Sequence, residues 1–247
     1  QRMRELFPTR GITPSDTPRA LPTNPVEIDN VAVTFSDGRR TTAGAWLADA
    51  YTDGFIVLHQ GKVVHEQYLN GQRPATEHIM FSVTKSLTGT MILMLAEEGL
   101  IDLSKPVRQY IPELAQSAYG DASVQQVMDM TNSITYDETY EDPESDIGRY
   151  FVALAPGGPG MYAHLRTLTK ELPSYAHGEA FQYVTPDTEV LGWLIRRITG
   201  SSLSDNLQQR IWTPMGAEFP ANYILDPLGI ELAGAGLSMT LRDAARF

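Results

Sequence analysis

Three observations predict a mixed α/β (α+β) fold. Strand-forming residues flank a Gly-containing turn between residues 54 and 69, and apolar residues recur at helical spacing after Ser82 and again after Thr185. The composition, 42% hydrophobic and 20% charged over 247 residues, is that of a globular chain with a sizeable core.

Residues 1–50 are rich in Pro, Thr and Arg with little periodicity, and are expected to form an irregular arm over a body spanning 51–247. Gly54 to His59 and Val63 to Leu69 read as a hairpin around Gln60-Gly61-Lys62, ended by Asn70-Gly71. Ser82 to Gly99 has a helical pattern with glycine as terminator. Ser123-Val124-Gln125-Gln126 matches a capping box and opens a short helix to Met130. From Thr131 to Tyr183, Pro, Gly and Tyr abound without a strong period, which predicts a long loop region carrying function or specificity. Thr185-Pro186 then supplies an N-cap followed by proline, Val190, Leu191, Leu194, Ile195 and Ile198 share a face, and Gly200 stops the helix. A further helix covers about Leu203 to Trp212, and another starts at Leu241 after the small-residue turn Ala233-Gly234-Ala235-Gly236. Little after Leu69 has the alternating, β-branched character of strands, and a two-stranded hairpin is not independently stable. Further strands are therefore expected beyond Phe247.

Charge and cysteine usage exclude several functions. A net charge of −11 argues against nucleic acid and against an anionic membrane surface as partners, because both are bound largely through Lys and Arg. No apolar run approaches the roughly 20 residues that span a bilayer, and no basic segment followed by an apolar one opens the chain, so a soluble protein is expected. The start at Gln1 leaves open that a leader was removed, and cytoplasm and periplasm both stay open as compartments. The absence of cysteine excludes disulfides, thiol nucleophiles and thiolate metal sites. His59, His65, His78, His164 and His177 show no tight ligand spacing, so neither metal nor cofactor is expected. His59 and His65 flank the hairpin turn and could meet across strands, where ordinary polar packing is the simpler reading.

Ser82-Val83-Thr84-Lys85 carries the chemistry. Positions three apart share a helix face, so the Lys85 ammonium can reach the Ser82 oxygen and hold its conjugate base. Lysine is scarce, four in the chain, and Lys85 precedes Leu87, Met91, Ile92, Leu93, Met94 and Leu95. An unpartnered charge buried there would cost several kcal/mol, about what folding as a whole gains. Burial also favours the neutral amine, which makes Lys85 a credible proton acceptor. The plain alternative is a helix-capping serine beside a lysine that reaches water.

An activated serine also needs a proton path to the leaving group. Tyr183, just before the Thr185 helix start, can point its phenol into a cleft, and a nearby ammonium favours the phenolate; the alternative is an aromatic core residue. Tyr140 can hydrogen-bond a leaving group from its loop, or be an ordinary surface tyrosine.

These residues resemble a known family, the serine β-lactamase-like hydrolases of the class C lactamase, family VIII carboxylesterase and nylon-oligomer (aminohexanoate-oligomer) hydrolase type. The likeness runs from Phe55 onward through Phe81-Ser82-Val83-Thr84-Lys85-Ser86, Glu98-Gly99-Leu100-Ile101-Asp102-Leu103, Tyr110-Ile111-Pro112-Glu113-Leu114, Phe181-Gln182-Tyr183, Ile211-Trp212-Thr213-Pro214-Met215-Gly216 and Gly236-Leu237-Ser238-Met239-Thr240. Within the family, Val127 to Met130, Ser133-Ile134, Tyr136 and Tyr140-Glu141-Asp142-Pro143 are most similar to the nylon-oligomer hydrolases. The resemblance implies a helical lobe packed on an antiparallel sheet. It also implies an acyl-enzyme on Ser82, Lys85 as activator, Tyr183 as general base and acid, and Tyr140 assisting amide turnover. The Ser82 N–H would form half of the oxyanion hole.

Two departures qualify the resemblance. Tyr183-Val184-Thr185 stands where class C lactamases carry Tyr-x-Asn, so Thr185 replaces the amide that contacts a β-lactam side chain. The third family motif, Lys-Thr-Gly or His-x-Gly, is absent, and the expectation is a domain over 51–247 lacking its C-terminal strands, either because the sequence is a fragment or because a second polypeptide completes the sheet; a homo-oligomer stays open. The expected function is hydrolysis of small esters or amides; the alternative is a protein of the penicillin-recognising fold that binds or assembles without turnover.

Overall fold

The computed structural model describes residues 3–169 and 175–247. Residues 1–2 and residues 170–174 of the expected loop region lie outside the described residues.

The N-terminal segment comprises α1 (Met3–Leu6), β1 (Thr9–Ile12), the hairpin β2 (Ala32–Thr34) and β3 (Arg40–Thr42), and α2 (Ala43–Asp49). The irregular arm expected for residues 1–50 thus contains strands, one of which, β1, buries Ile12 in the core. Thr-Arg-Gly-Ile gives no alternating signal, and its partner lies over 200 residues away (Thr9 opposite Ile224), beyond the reach of local pattern.

β4 (Gly54–His59) and β5 (Lys62–Tyr68) form the expected hairpin, turning through Gln60 and Gly61 at φ 50° and 74°. Two successive positive φ values are what a tight two-residue turn between right-twisted strands requires. A register shift between Val57 and Leu58 sets His59 opposite Lys62 and His65 opposite Val57, so the two histidines are not cross-strand partners. The His65 ring instead packs against Phe55 with centroids 6.0 Å apart.

β6 (His78–Ile79) leads through a 3₁₀ turn, Phe81–Val83, into α3 (Thr84–Glu97). The capping box holds as expected: Ser123 Oγ accepts from the Gln126 N–H at 3.1 Å and opens α4 (Val124–Met128).

The expected loop region 131–183 contains two helices, α5 (Asp146–Leu154) and α6 (Met161–Thr167). Ser145 caps α5, and Ile147, Tyr150 and Ala153 form its buried face. Exposed Phe151 and Val152 blur that face in the sequence, and the surrounding Pro and Gly suggest coil.

α7 (Thr185–Thr199) ends at Gly200 in the left-handed region (φ 69°). α8 (Leu203–Leu207) passes into a π turn, Gln208–Trp212, so the single helix expected there is two segments. β7 (Ala221–Ile224), β8 (Leu237–Met239) and α9 (Leu241–Arg246) complete the order.

Four strands assemble in the order β1-β7-β8-β6, every pairing antiparallel. The expectation of little strand character after Leu69 is corrected by β6, β7 and β8. They are two to four residues long, and β8 is buried on both faces, so no alternation marks it. α3 and α7 pack together, and Leu87, Met91 and Leu95 meet Val190 and Leu194 in a core that includes Trp212 and Tyr223. Each fully buried aliphatic side chain contributes about 1.5–3 kcal/mol. Among the described residues no helix is long and apolar enough to cross a membrane.

Candidate active site

The turn from β6 into α3 sets the position of Ser82. Phe81 adopts φ 42°, uncommon for a bulky side chain and a conformation costing about 1–3 kcal/mol. It is held by its flanks: the Met80 N–H donates to the Leu237 carbonyl of β8 (2.8 Å), and the Val83 N–H to Met80 (3.0 Å). The result is a serine at the open end of a buried helix, where backbone N–H groups lie ahead of the intrahelical ladder.

Two groups converge on Ser82 Oγ. Lys85 Nζ donates to it at 3.2 Å, and the Tyr183 hydroxyl at 2.7 Å. Lys85 Nζ also donates to the Gly234 carbonyl at 2.9 Å and stands 5.2 Å from the Tyr183 ring centroid, within cation–π range. The three sequence candidates Ser82, Lys85 and Tyr183 therefore meet in one place, although Tyr183 is about a hundred residues from the other two.

Tyr140 and Thr185 meet a residue that sequence reasoning missed, Glu138. The Thr185 N–H and hydroxyl donate to its two carboxylate oxygens at 3.0 and 2.5 Å, and the Tyr140 hydroxyl donates to it at 2.6 Å. This corrects the expected cap of α7: Val184 is the N-cap residue and offers no side-chain bond, so a carboxylate from the 131–142 segment serves the helix start. A negative charge suits that end of a helix dipole. Burial and the Glu138 carboxylate push the Tyr140 phenol up to about 12, so it is a proton donor at neutral pH. Its ring lies 6.2 Å from that of Phe151, and no hydrogen bond joins it to Ser82.

α7 carries two further carboxylates that no motif signalled. Asp187 accepts from the Tyr119 hydroxyl (3.0 Å) and from Asn132 Nδ2 (2.6 Å). Glu189 accepts from the Ala233 and Gly234 N–H groups (2.8 and 2.9 Å) and from the Tyr150 hydroxyl (2.9 Å). Burial raises Asp187 well above the usual carboxylate range and pushes Glu189 up to about 7, with these hydrogen bonds and the Lys85 charge pulling the other way. Two acidic residues amid a helix's apolar pattern were the available signal, since buried carboxylates require partners. Among the described residues no cluster of His, Asp and Glu suits a metal ion.

Comparison with known proteins follows the same lines. The chain is 36% identical to the 6-aminohexanoate-dimer hydrolase of Paenarthrobacter ureafaciens over 99% of its own length and 62% of that protein. It superposes on a Bacillus anthracis structure described as a candidate 6-aminohexanoate-dimer hydrolase with a TM-score of 0.91 and 36% identity, covering 100% of this chain and 66% of that one. The octameric penicillin-binding protein homologue of Pyrococcus abyssi shares the fold alone, at a TM-score of 0.62 and 20% identity over 82% of this chain and 53% of that one. The chain thus spans less than two thirds of the length of either 6-aminohexanoate-dimer hydrolase relative. Residues 40–247 match the beta-lactamase family, and with the helical lobe, the antiparallel sheet and the extent of these likenesses, the chain belongs to that family.

Proposed function

We propose that the protein is a serine hydrolase that cleaves small esters or linear amides through an acyl-enzyme on Ser82. The observation that carries this reading is the convergence of Lys85 Nζ and the Tyr183 hydroxyl on Ser82 Oγ, at 3.2 and 2.7 Å. Tyr183, acting as general base beside the Lys85 side chain, takes the Ser82 proton as Oγ attacks the substrate carbonyl. The oxyanion that forms lies at the start of the helix, near the Ser82 N–H. The same phenol returns the proton to the departing alkoxide or amine, and a water then repeats the sequence in reverse to free the acid.

A linear amide of the 6-aminohexanoate-dimer kind is the first substrate to try, supported by the identity to the Paenarthrobacter hydrolase. Thr185 spends its hydroxyl on Glu138, which supports esters and linear amides over β-lactams. Ester turnover by wild type and Ser82→Ala tests the reading. The expected result is loss of turnover with an unchanged circular dichroism spectrum, since Ser82 is surface-exposed at the helix start. Undiminished turnover in Ser82→Ala would overturn it.

A further inference from the structure

The reading above leaves one group unused: a fully buried carboxylate, Glu189, on the helix that follows Tyr183. Its three hydrogen-bond partners among the described residues are all donors, namely the N–H groups of Ala233 and Gly234 and the Tyr150 hydroxyl of α5. An ionised carboxylate accepts on both oxygens, whereas a glutamine side chain offers one acceptor and would set its own N–H group against a donor. The two backbone N–H groups belong to the turn whose next carbonyl, Gly234 O, receives Lys85 Nζ at 2.9 Å.

That turn is pressed tightly against α7. A Cβ at Gly192 would lie 2.5 Å from Ala233 Cβ, and one at Gly234 would lie 3.0 Å from Glu189 Oε1, so both glycines permit the approach. From the other side α3 fastens the same segment: Thr88 Oγ1 donates to the Ala233 carbonyl (2.9 Å), and the Leu237 N–H donates to Thr84 Oγ1 (3.3 Å). The turn is therefore the joint between the helix bearing Lys85 and the helix that begins beside Tyr183.

We propose that Glu189 is a positioning residue for the Ser82 chemistry: its buried carboxylate fixes the Ala233–Gly234 turn so that the Gly234 carbonyl holds the Lys85 ammonium against Ser82 and Tyr183. The proposal rests on the hydrolase reading for its catalytic consequence, but the placement of Lys85 is measurable without turnover. Glu189 touches neither Ser82 nor Lys85 by hydrogen bond; it acts through the Gly234 peptide and through its charge. Misplacement of a reacting group by about an ångström costs on the order of 10²-fold in rate, so loosening this joint should register in kcat.

The test uses the intact chain, labelled with ¹⁵N-lysine, as wild type, Glu189→Gln and the milder Tyr150→Phe, with the Lys85 Nζ resonance assigned through Lys85→Arg. Glu189→Gln is expected to shift or broaden the Lys85 resonance selectively and to lower kcat for ester hydrolysis about 10- to 100-fold, with KM changed by less than about threefold. Tyr150→Phe, which removes one donor and leaves the carboxylate, should move both readouts in the same direction by less. Should Glu189→Gln fail to fold, Tyr150→Phe decides alone. Asp187→Asn separates positioning from mere stability, because that buried carboxylate reaches Lys85 by charge alone and does not hydrogen-bond the turn, so it should lower the melting temperature with a smaller Lys85 shift than Glu189→Gln gives and without broadening. An unmoved Lys85 resonance in folded Glu189→Gln, or in Tyr150→Phe when the former does not fold, overturns the proposal. Wild-type protein that turns over no ester, with a Lys85 resonance that still responds, contradicts the hydrolase reading and leaves the clamp supported.

Discussion

Helices α3 and α7 are close in length, 14 and 15 residues, and pack against each other, yet they present polar groups in opposite ways. α3 offers Lys85 at its open end, beside Ser82, and reserves its middle for Leu87, Met91, Ile92 and Leu95. α7 is buried at every position from Thr185 to Ile195, and its polar residues Asp187 and Glu189 are satisfied inside the protein. Under the proposed hydrolysis, the difference teaches how labour is divided around Ser82: one helix supplies groups that would meet a substrate, and the other supplies the rigidity that keeps those groups in register. Groups of the first kind need access. Groups of the second kind need burial and a complete set of hydrogen bonds, because a half-satisfied buried carboxylate would cost more than it contributes.

If this division holds, damage to the two helices should differ in kind. Lys85→Ala should lower ester kcat/KM by about 10³-fold or more while the fold survives, since it removes the Nζ group that donates to Ser82 Oγ and lies over the Tyr183 ring. Steady-state kinetics with a circular dichroism control measures this, and normal turnover would reduce Lys85 to a lysine that reaches water. Leu194→Ala on α7 should do the reverse, destabilising the protein by about 2–5 kcal/mol through a core cavity, with near-normal kcat per folded molecule. Denaturant titration beside active-site titration checks it; loss of kcat without loss of stability would break the contrast.

The next expected effect is a pH dependence. Burial pushes Glu189 up to about 7 in the folded protein, from an ordinary glutamate value of 4.5, and its hydrogen bonds from Gly234, Ala233 and Tyr150 and the charge of Lys85 only partly offset that rise. Between those two pH values the folded state holds a proton that the unfolded state has released, so this residue makes stability fall as pH rises through that window and level off above it. Asp187 acts in the same direction; Glu66 and Glu113, held low by Arg242 and Arg197, act in the opposite one and at lower pH. Melting temperatures across the window should therefore depend on pH less steeply in Glu189→Gln than in wild type. Identical slopes would mean that Glu189 titrates as an ordinary carboxylate.

The smallest effect concerns the rim of the site. Tyr140→Phe should depress hydrolysis of a linear amide more than that of an ester with the same acyl group, by about tenfold or less in the ratio. An amine leaves only with a proton delivered to nitrogen, and the Tyr140 phenol is a proton donor. Equal losses on both substrates would assign Tyr140 to pocket shape alone.

How much of this was legible in the sequence follows from the same contrast. Ser82 and Lys85 were readable because an i, i+3 pair on one helix face is a local pattern. The capping box at Ser123, the turn at Gln60-Gly61 and the stop at Gly200 were readable for the same reason. Tyr183 was readable as a candidate from its place before the Thr185 helix start, with an aromatic core residue as the alternative until the family resemblance was added, since its partner lies across the fold. The roles of Glu138, Asp187 and Glu189 escaped because they depend on Thr185, Tyr119 and Ala233–Gly234, which only the tertiary structure brings near; two acidic residues within the apolar pattern of α7 were the one local signal. Strands β1, β7 and β8 escaped because they are short and, in the centre of the sheet, buried on both faces. Helices α5 and α6 escaped because seven to nine residues between Pro and Gly give periodicity too little room.

The most direct test of the central assignment is covalent. Incubating the protein with a fluorophosphonate, weighing the intact adduct and mapping the modified peptide should give one phosphonyl group per chain, on Ser82, with Lys85→Ala labelled far more slowly. Labelling at another residue, or none in protein shown to be folded, would contradict the assignment of Ser82 as the nucleophile.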